Sequence, residues 1–293
     1  MKASMQYQNK TPEEIVRQYK KRLRAKQRLL ILIFLLYAIV GIRGIWWGDD
    51  GMPDVLLKLF ILIVITFPIN IWISWDFMSL NMILNQDCDP VTYVQVMRLL
   101  EKVHKRKRSA VAIRISEASG LMWSGQFSDA LALTEPLRKY KLSGNYQISL
   151  LNIRFNCYKK MEDLEKAMEV KHEAEILVSS FTKASKQKTG QELLSVMDAS
   201  LALWRGDHET YRRMEEARSA GYTAKIQKEV SAVCLANADT ACGELKNARI
   251  HLEYAIREGG TLYVVEDARR MLVELTRKER MKGTGYGEGT VKI

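Results

Sequence analysis

Cysteine, proline and histidine are scarce in this chain, with 4 Cys, 5 Pro and 4 His in 293 residues. Four widely spaced cysteines exclude a disulfide-stapled secreted module, and low Pro and Gly content excludes collagen-like and low-complexity chains. A composition 47% hydrophobic and 27% charged excludes disorder as the general state. Strand-type alternation is rare as well, so the fold class expected is all-α. The length fits one or two domains.

Catalytic signatures are missing too. His172-Glu173 is followed by Ile176 where a metalloprotease helix needs a second His, and no Gly-x-Ser-x-Gly, Walker loop or kinase set occurs. Cys234 and Cys242 are eight apart, with no CxxC, and are expected on facing helices as free thiols. Gly283, Gly285, Gly287 and Gly289 alternate with other residues, but no strand precedes them and no helix follows, so a dinucleotide loop is not indicated. The expectation is a non-enzyme with no cofactor and no metal site.

Acidic residues are outnumbered, 34 against 45 Lys+Arg, for a net charge of +11. The excess is uneven. Residues 1–28 carry +7, residues 29–75 carry −1, residues 76–110 carry +2 and residues 111–293 carry +3. Nucleic-acid binding would need basic charge spread over a folded face with aromatics among it, so nucleic acid is not an expected partner.

The charge instead flanks two apolar runs, Leu29–Trp47 and Val55–Trp75, of 19 and 21 residues. At about 1.5 Å per residue either can cross a hydrocarbon core about 30 Å thick. The short segment Gly48–Asp54 allows only an antiparallel hairpin. Arg43 and Lys58 then share a depth near Asp49, Asp50 and Asp54, and Trp46, Trp47, Trp72 and Trp75 fall at the two boundaries. Pro68 is expected to kink the second span and Asn70 to reach another helix. Two helices with so few polar groups do not make a transport path.

Both outer flanks are rich in Lys and Arg, and the connecting loop Gly48–Asp54 has none. The positive-inside rule therefore places both termini in the cytoplasm. Lys20, Lys21, Arg22, Arg24, Lys26 and Arg28, with Lys105, Arg106, Lys107 and Arg108, are the residues expected to set topology or contact anionic lipid. Residues 1–28 form a basic juxtamembrane helix. Thr11 caps it, Pro12 takes the first helical position and Glu14 completes a capping box, while Ile15, Tyr19 and Leu23 share a face.

Asp89-Pro90 predicts the start of a connecting helix, within residues 76–107, that runs to about Lys105. Beyond residue 108 one kind of break recurs. Ala118, Leu121, Gly125-Gln126-Phe127 and Ala130 read as helix, tight turn, helix. Tyr158, Glu162-Asp163-Leu164 and Ala167 repeat it without the Gly, Ala199, Ala202, Gly206-Asp207 and Tyr211 give a third, and Leu235-Ala236, Gly243-Glu244-Leu245, Ala248 and Ala255 a fourth. Residues 130, 167, 211 and 248 are 37, 44 and 37 apart, a period that predicts a helical solenoid. Tyr263 to about Glu279 is expected to cap it, and 281–293 to be a disordered tail.

This spacing of small residue, Gly or acidic turn, aromatic or Leu, then Ala resembles the tetratricopeptide repeat (TPR). The early Trp of that pattern is missing and the period is longer. The Asp87-Cys88-Asp89-Pro90 segment after a two-span hairpin also resembles bacterial membrane-anchored TPR-like proteins. The resemblance implies a transmembrane hairpin followed by a cytoplasmic TPR-like α-solenoid over 108–280. It further implies a scaffold holding a protein or peptide in a groove, with Arg114, Asn152, Asn156, Asp198 and Lys228 as candidate lining. The alternative is a homo-oligomeric structural membrane protein without a dedicated peptide ligand.

Overall fold

The computed structural model describes residue 7 and residues 9–47, 52–103 and 107–284. These residues are all-α, with twelve α-helices, one short 3-10 turn and no strand among them. The chain divides into two compact units, Met1–Met82 and Ile83–Ile293.

In the first unit α1 runs unbroken over Pro12–Trp47 and α2 over Met52–Asn85. The capping box forms as the sequence predicts. The Glu14 amide donates to Thr11 Oγ1 at 3.3 Å, and the Thr11 amide donates to Glu14 Oε2 at 3.0 Å. Ile15, Val16 and Tyr19 are buried on one face of α1. The N-terminal half of α1 lies against the C-terminal half of α2. Lys26 Nζ donates to the Trp72 carbonyl at 2.9 Å and sits 2.7 Å from Asp76 Oδ2, while the Tyr7 and Ser79 hydroxyls are 2.9 Å apart. Pro68 leaves α2 helical on both sides, although its missing N–H frees one carbonyl of the preceding turn. The apolar side chains of both helices are largely exposed, Leu35, Ile39, Phe60 and Trp75 among them. Among the described residues one stretch, Phe60–Asn85, is long and apolar enough to cross a membrane, with mean hydropathy 1.8. Asp49 and Asp50 lie outside the described residues, and the side chains of Arg43, Trp46, Trp47, Asp54, Lys58 and Asn70 are likewise not described.

The second unit begins with a tight bend after α2. Its helices are α3 (Pro90–Glu101), α4 (Lys107–Trp123), α5 (Phe127–Thr134), α6 (Gly144–Lys160), α7 (Leu164–Ser179), α8 (Ala184–Trp204), α9 (His208–Ser219), α10 (Lys225–Ala241), α11 (Leu245–Glu258) and α12 (Tyr263–Thr284). Each packs on the next, and α4 also touches α6, α6 touches α8 and α10 touches α12. The described core follows this order as three successive clusters. Leu121, Leu137 and Ile153 lie in one, Phe155, Val170 and Met197 in the next, and Ala199, Tyr211 and Ala238 in the third.

Four turns share one hydrogen-bond pattern. The amides of Gln126, Asp163, Asp207 and Glu244 reach back to the carbonyls of Leu121, Tyr158, Ala202 and Asp239, the closure that ends a helix with a left-handed residue. That residue is Gly125, Glu162, Gly206 or Gly243, with φ of 84°, 61°, 80° and 82°. The turns therefore recur 37, 44 and 37 residues apart, and Ala130, Ala167, Tyr211 and Ala248 five residues later are all buried. The longer middle interval holds α8, at 21 residues the longest helix between the first and last turns. Asp163 and Asp207 cap the following helices by accepting from the amides of Lys166 and Thr210.

Several boundaries differ from the sequence reading. Asp89 caps α3 by accepting from the Thr92 amide at 3.0 Å, but α3 stops at Glu101, short of Lys105. It packs on α4, so the helical stack starts before residue 108. Cys234 and Cys242 do not sit on facing helices: both belong to α10, Cys242 as its last cap. Residues Met281–Thr284 continue α12 rather than a tail, while 285–293 lie outside the described residues.

Candidate functional site

The helices α4, α6, α8, α10 and α12 of the second unit line an open cavity of about 780 Å³. One end is built by α12. The Tyr263 ring stacks on Trp123, with centroids 6.1 Å apart and planes 15° apart, and meets Phe127 edge-on at 5.2 Å. Lys160 Nζ lies 4.8 Å from the centre of the Tyr263 ring and 3.0 Å from Asp267 Oδ2. Burial pushes the Tyr263 phenol well above its usual range, so it stays neutral.

This closure reaches the start of the stack. The Thr261 amide donates to the Cys88 carbonyl at 3.0 Å, and the Thr261 hydroxyl lies 3.1 Å from Asp89 Oδ1. Gly260 is left-handed there, and a Cβ on it would come within 2.5 Å of the Cys88 oxygen, so no larger residue fits. Residues 172 apart in sequence thus fix the two ends of the stack to each other.

The cavity wall combines apolar and polar groups. Leu203, Trp204, Val230 and Val233 supply apolar surface, and Asn156, Ser200 and Asn237 supply polar groups. Lys159 Nζ hydrogen-bonds Ser200 Oγ at 3.3 Å and has no carboxylate within ion-pair distance among the described residues. Burial pushes its ammonium pKa down and nearby Lys160 and Arg218 push the same way, while the Cys234 and Glu215 side chains pull it back up in part. An anion entering the cavity would relieve both effects. Other inward arginines of the stack are matched: Arg154 pairs with Glu173 at 2.6 Å and Arg212 with Glu244 at 2.6 Å.

A second unmatched group lies outside the cavity lining. Glu229 on α10 is fully buried, and neither carboxylate oxygen has a hydrogen-bond partner. Burial pushes its pKa up to about 7, against the pull of the Tyr254 hydroxyl and the Lys225 ammonium.

The residues expected from sequence fall in different places. Lys26 is turned inward, 5% exposed, and is held by Asp76 and Trp72. Its ammonium also lies 4.0 Å from the centre of the Trp72 ring. Lys20, Lys21, Arg24 and Arg28 share one groove on α1 with Arg17, and Arg22 lies outside it. Lys105 and Arg106 lie outside the described residues; Lys107 and Arg108 begin α4, their side chains not described.

Of the five residues considered for a groove, Asn156 lines the cavity and donates to the Asn152 carbonyl at 2.9 Å. Arg114 pairs with Glu101 at 2.6 Å, Asp198 with Lys171 at 3.2 Å, and Lys228 is exposed elsewhere on α10. Among the described residues no three His, Cys, Asp or Glu side chains are grouped to hold a metal ion. All four cysteines are free thiols, Cys88 and Cys157 buried and each raised to about 12 by burial. No family model, curated protein or solved structure matches the chain.

Proposed function

We propose that this chain is a membrane-anchored cytoplasmic scaffold. Two antiparallel spans, about 29–47 and 55–75, hold it in a bacterial inner membrane with both termini inside. The stack of helix pairs acts as a TPR-like solenoid whose cavity takes a segment of a protein partner. The observation that carries the binding half is Lys159, an inward cation with a hydroxyl beside it and no carboxylate within ion-pair distance among the described residues, in a cavity of about 780 Å³. Leaving such a charge unmatched costs stability unless a ligand supplies the counter-charge. The partner segment therefore presents an acidic group to Lys159 and an apolar side chain to Trp204, Val230 and Val233. The anchoring half is supported by the exposed apolar surface of α1 and α2 and by the one-sided basic flanks.

Two experiments test the proposal together. A reporter fused after Ile293 is expected to behave as cytoplasmic, and external activity overturns the topology. A photo-crosslinker placed at Ser200 in native membranes is expected to capture a different polypeptide. Capture of this chain alone, from a second copy, favours the homo-oligomeric reading and overturns the scaffold.

A further inference from the structure

The outer face of α1 divides its charges sharply. At 100° per residue, Arg17, Lys20, Lys21, Arg24 and Arg28 fall within an arc of about 100°, and Lys26, Ile15 and Tyr19 fall on the opposite side. The inward side is the one that meets α2, through Lys26 and Asp76. The outward five line a single groove of about 350 Å³ on the helix surface, with Ala25 as the only other wall. None of the five has an ion-pair partner among the described residues. Five unneutralised cations on one stripe repel each other, so a bound polyanion or a set of anions would stabilise them.

The same arc continues beyond the charges. Ile31, Leu35 and Ile39 lie on it one to three turns further along, all more than half exposed. Because α1 is unbroken from Pro12 to Trp47, the cationic stripe and this apolar strip form one straight line. One side of that line is chemically suited to acyl chains and the other to their headgroups.

We infer that α1 carries a binding site for an anionic phospholipid, its phosphate held by Arg24 and Arg28 and its acyl chains lying along Ile31, Leu35 and Ile39. This rests on the membrane-anchored reading above. The straight helix also predicts a gradient. Measured along the axis from Leu29, Arg28 and Arg24 lie within about 8 Å, inside the headgroup layer, while Lys21, Lys20 and Arg17 stand about 12 to 18 Å out. The outer three act only through the screened field, which decays over about 8 Å at physiological ionic strength. A role restricted to topology would count all five cations alike, whereas a lipid site ranks them by depth.

The experiment uses the full chain in nanodiscs of equal phosphatidylcholine and phosphatidylglycerol, and reads the lipids retained on the released protein by native mass spectrometry. Phosphatidylglycerol is expected to be retained preferentially. Arg24→Gln with Arg28→Gln should lower that preference by roughly 25-fold, at about fivefold per well-placed cation. Arg17→Gln with Lys20→Gln should lower it less than about twofold, since both lie beyond the screening distance. Equal retention of the two lipids by the wild type overturns the inference, as does an equal loss from the two double variants. Displacement of the retained lipid by inorganic phosphate would make this a free-anion site and overturn the lipid assignment. Alkaline-carbonate washing of native membranes separates the two readings: release of the protein overturns the anchor, and with it the lipid site. Retention of both double variants after that wash, with the cytoplasmic reporter unchanged, isolates the lipid result from topology.

Discussion

In the α1–α2 unit the inward cation Lys26 meets Asp76 at 2.7 Å, whereas in the helical stack inward Lys159 and Glu229 have no ion-pair partner among the described residues. The two regions also expose opposite surfaces. The first leaves long aliphatic and aromatic side chains uncovered along both helices, while the second buries them in successive clusters between helix pairs. Each region therefore depends on something outside itself in a different way. The α1–α2 unit pairs its inward cation Lys26 and leaves its apolar face uncovered, a face that a bilayer would cover. The stack has covered its apolar faces and leaves one cavity charge unsettled, which a ligand can match.

The largest expected effect breaks the settled pair. Asp76→Leu alone strands Lys26 in a nearly buried site and is expected to cost about 3 to 5 kcal/mol, while Lys26→Met combined with Asp76→Leu should recover most of it. Hydrogen exchange of the α1 and α2 amides in detergent reads both. A single variant as stable as the double would mean that the pair does not hold the helices.

The next effect concerns the unsettled side. The folded-state pKa of Glu229 lies above the ordinary 4.5, so its contribution to stability is most favourable below pH 4.5 and is lost as pH rises to about 7. Glu229→Gln is therefore expected to raise the stability of the stack by about 3 kcal/mol at pH 8, and to make little difference near pH 4.5. Chemical denaturation at the two pH values checks this, and a gain that does not depend on pH would contradict the buried-charge account.

A smaller effect sharpens the likeness among the four turns. Glu162 adopts the left-handed conformation that glycine takes at 125, 206 and 243. Glu162→Gly should stabilise by about 1 kcal/mol, because the strain of a Cβ at that φ exceeds the added freedom of the unfolded chain. The reverse change, Gly206→Glu, should destabilise by a similar amount. A destabilising Glu162→Gly would show that the second turn is not equivalent to the others. The smallest is Asp207→Ala, which removes the α9 cap and should cost about 1 kcal/mol or less at this exposed end.

These turns also show what was legible in the sequence. Turn chemistry is local, so Gly125, Gly206, Gly243 and even the glycine-free turn at Glu162 could be placed by residue, as could the caps at Thr11 and Asp89. Helix phase was less accessible. Lys26 looked like its basic neighbours, yet at 100° per residue it faces away from Arg24 and Arg28 by more than a right angle, and only the partner helix reveals that it faces Asp76. The same limit explains why Asn156 lines the cavity while Arg114, Asp198 and Lys228 do not. The end of α3 at Glu101 escaped because no Gly or Pro marks it. Closure of the stack through Asp89 and Thr261 had no local signal, since it joins residues 172 apart. The cavity that contains Lys159 depends on that closure, and so was invisible along the chain.

On the proposed function, the unmatched Lys159 charge marks where a partner binds. The most direct measurement is photo-crosslinking from Ser200 in native membranes, compared between the wild type and Lys159→Glu. The prediction is a crosslinked partner in the wild type and its loss on charge reversal, with Lys228→Glu, on an exposed part of α10, leaving it unchanged. A crosslinked partner that survives Lys159→Glu would contradict the claim.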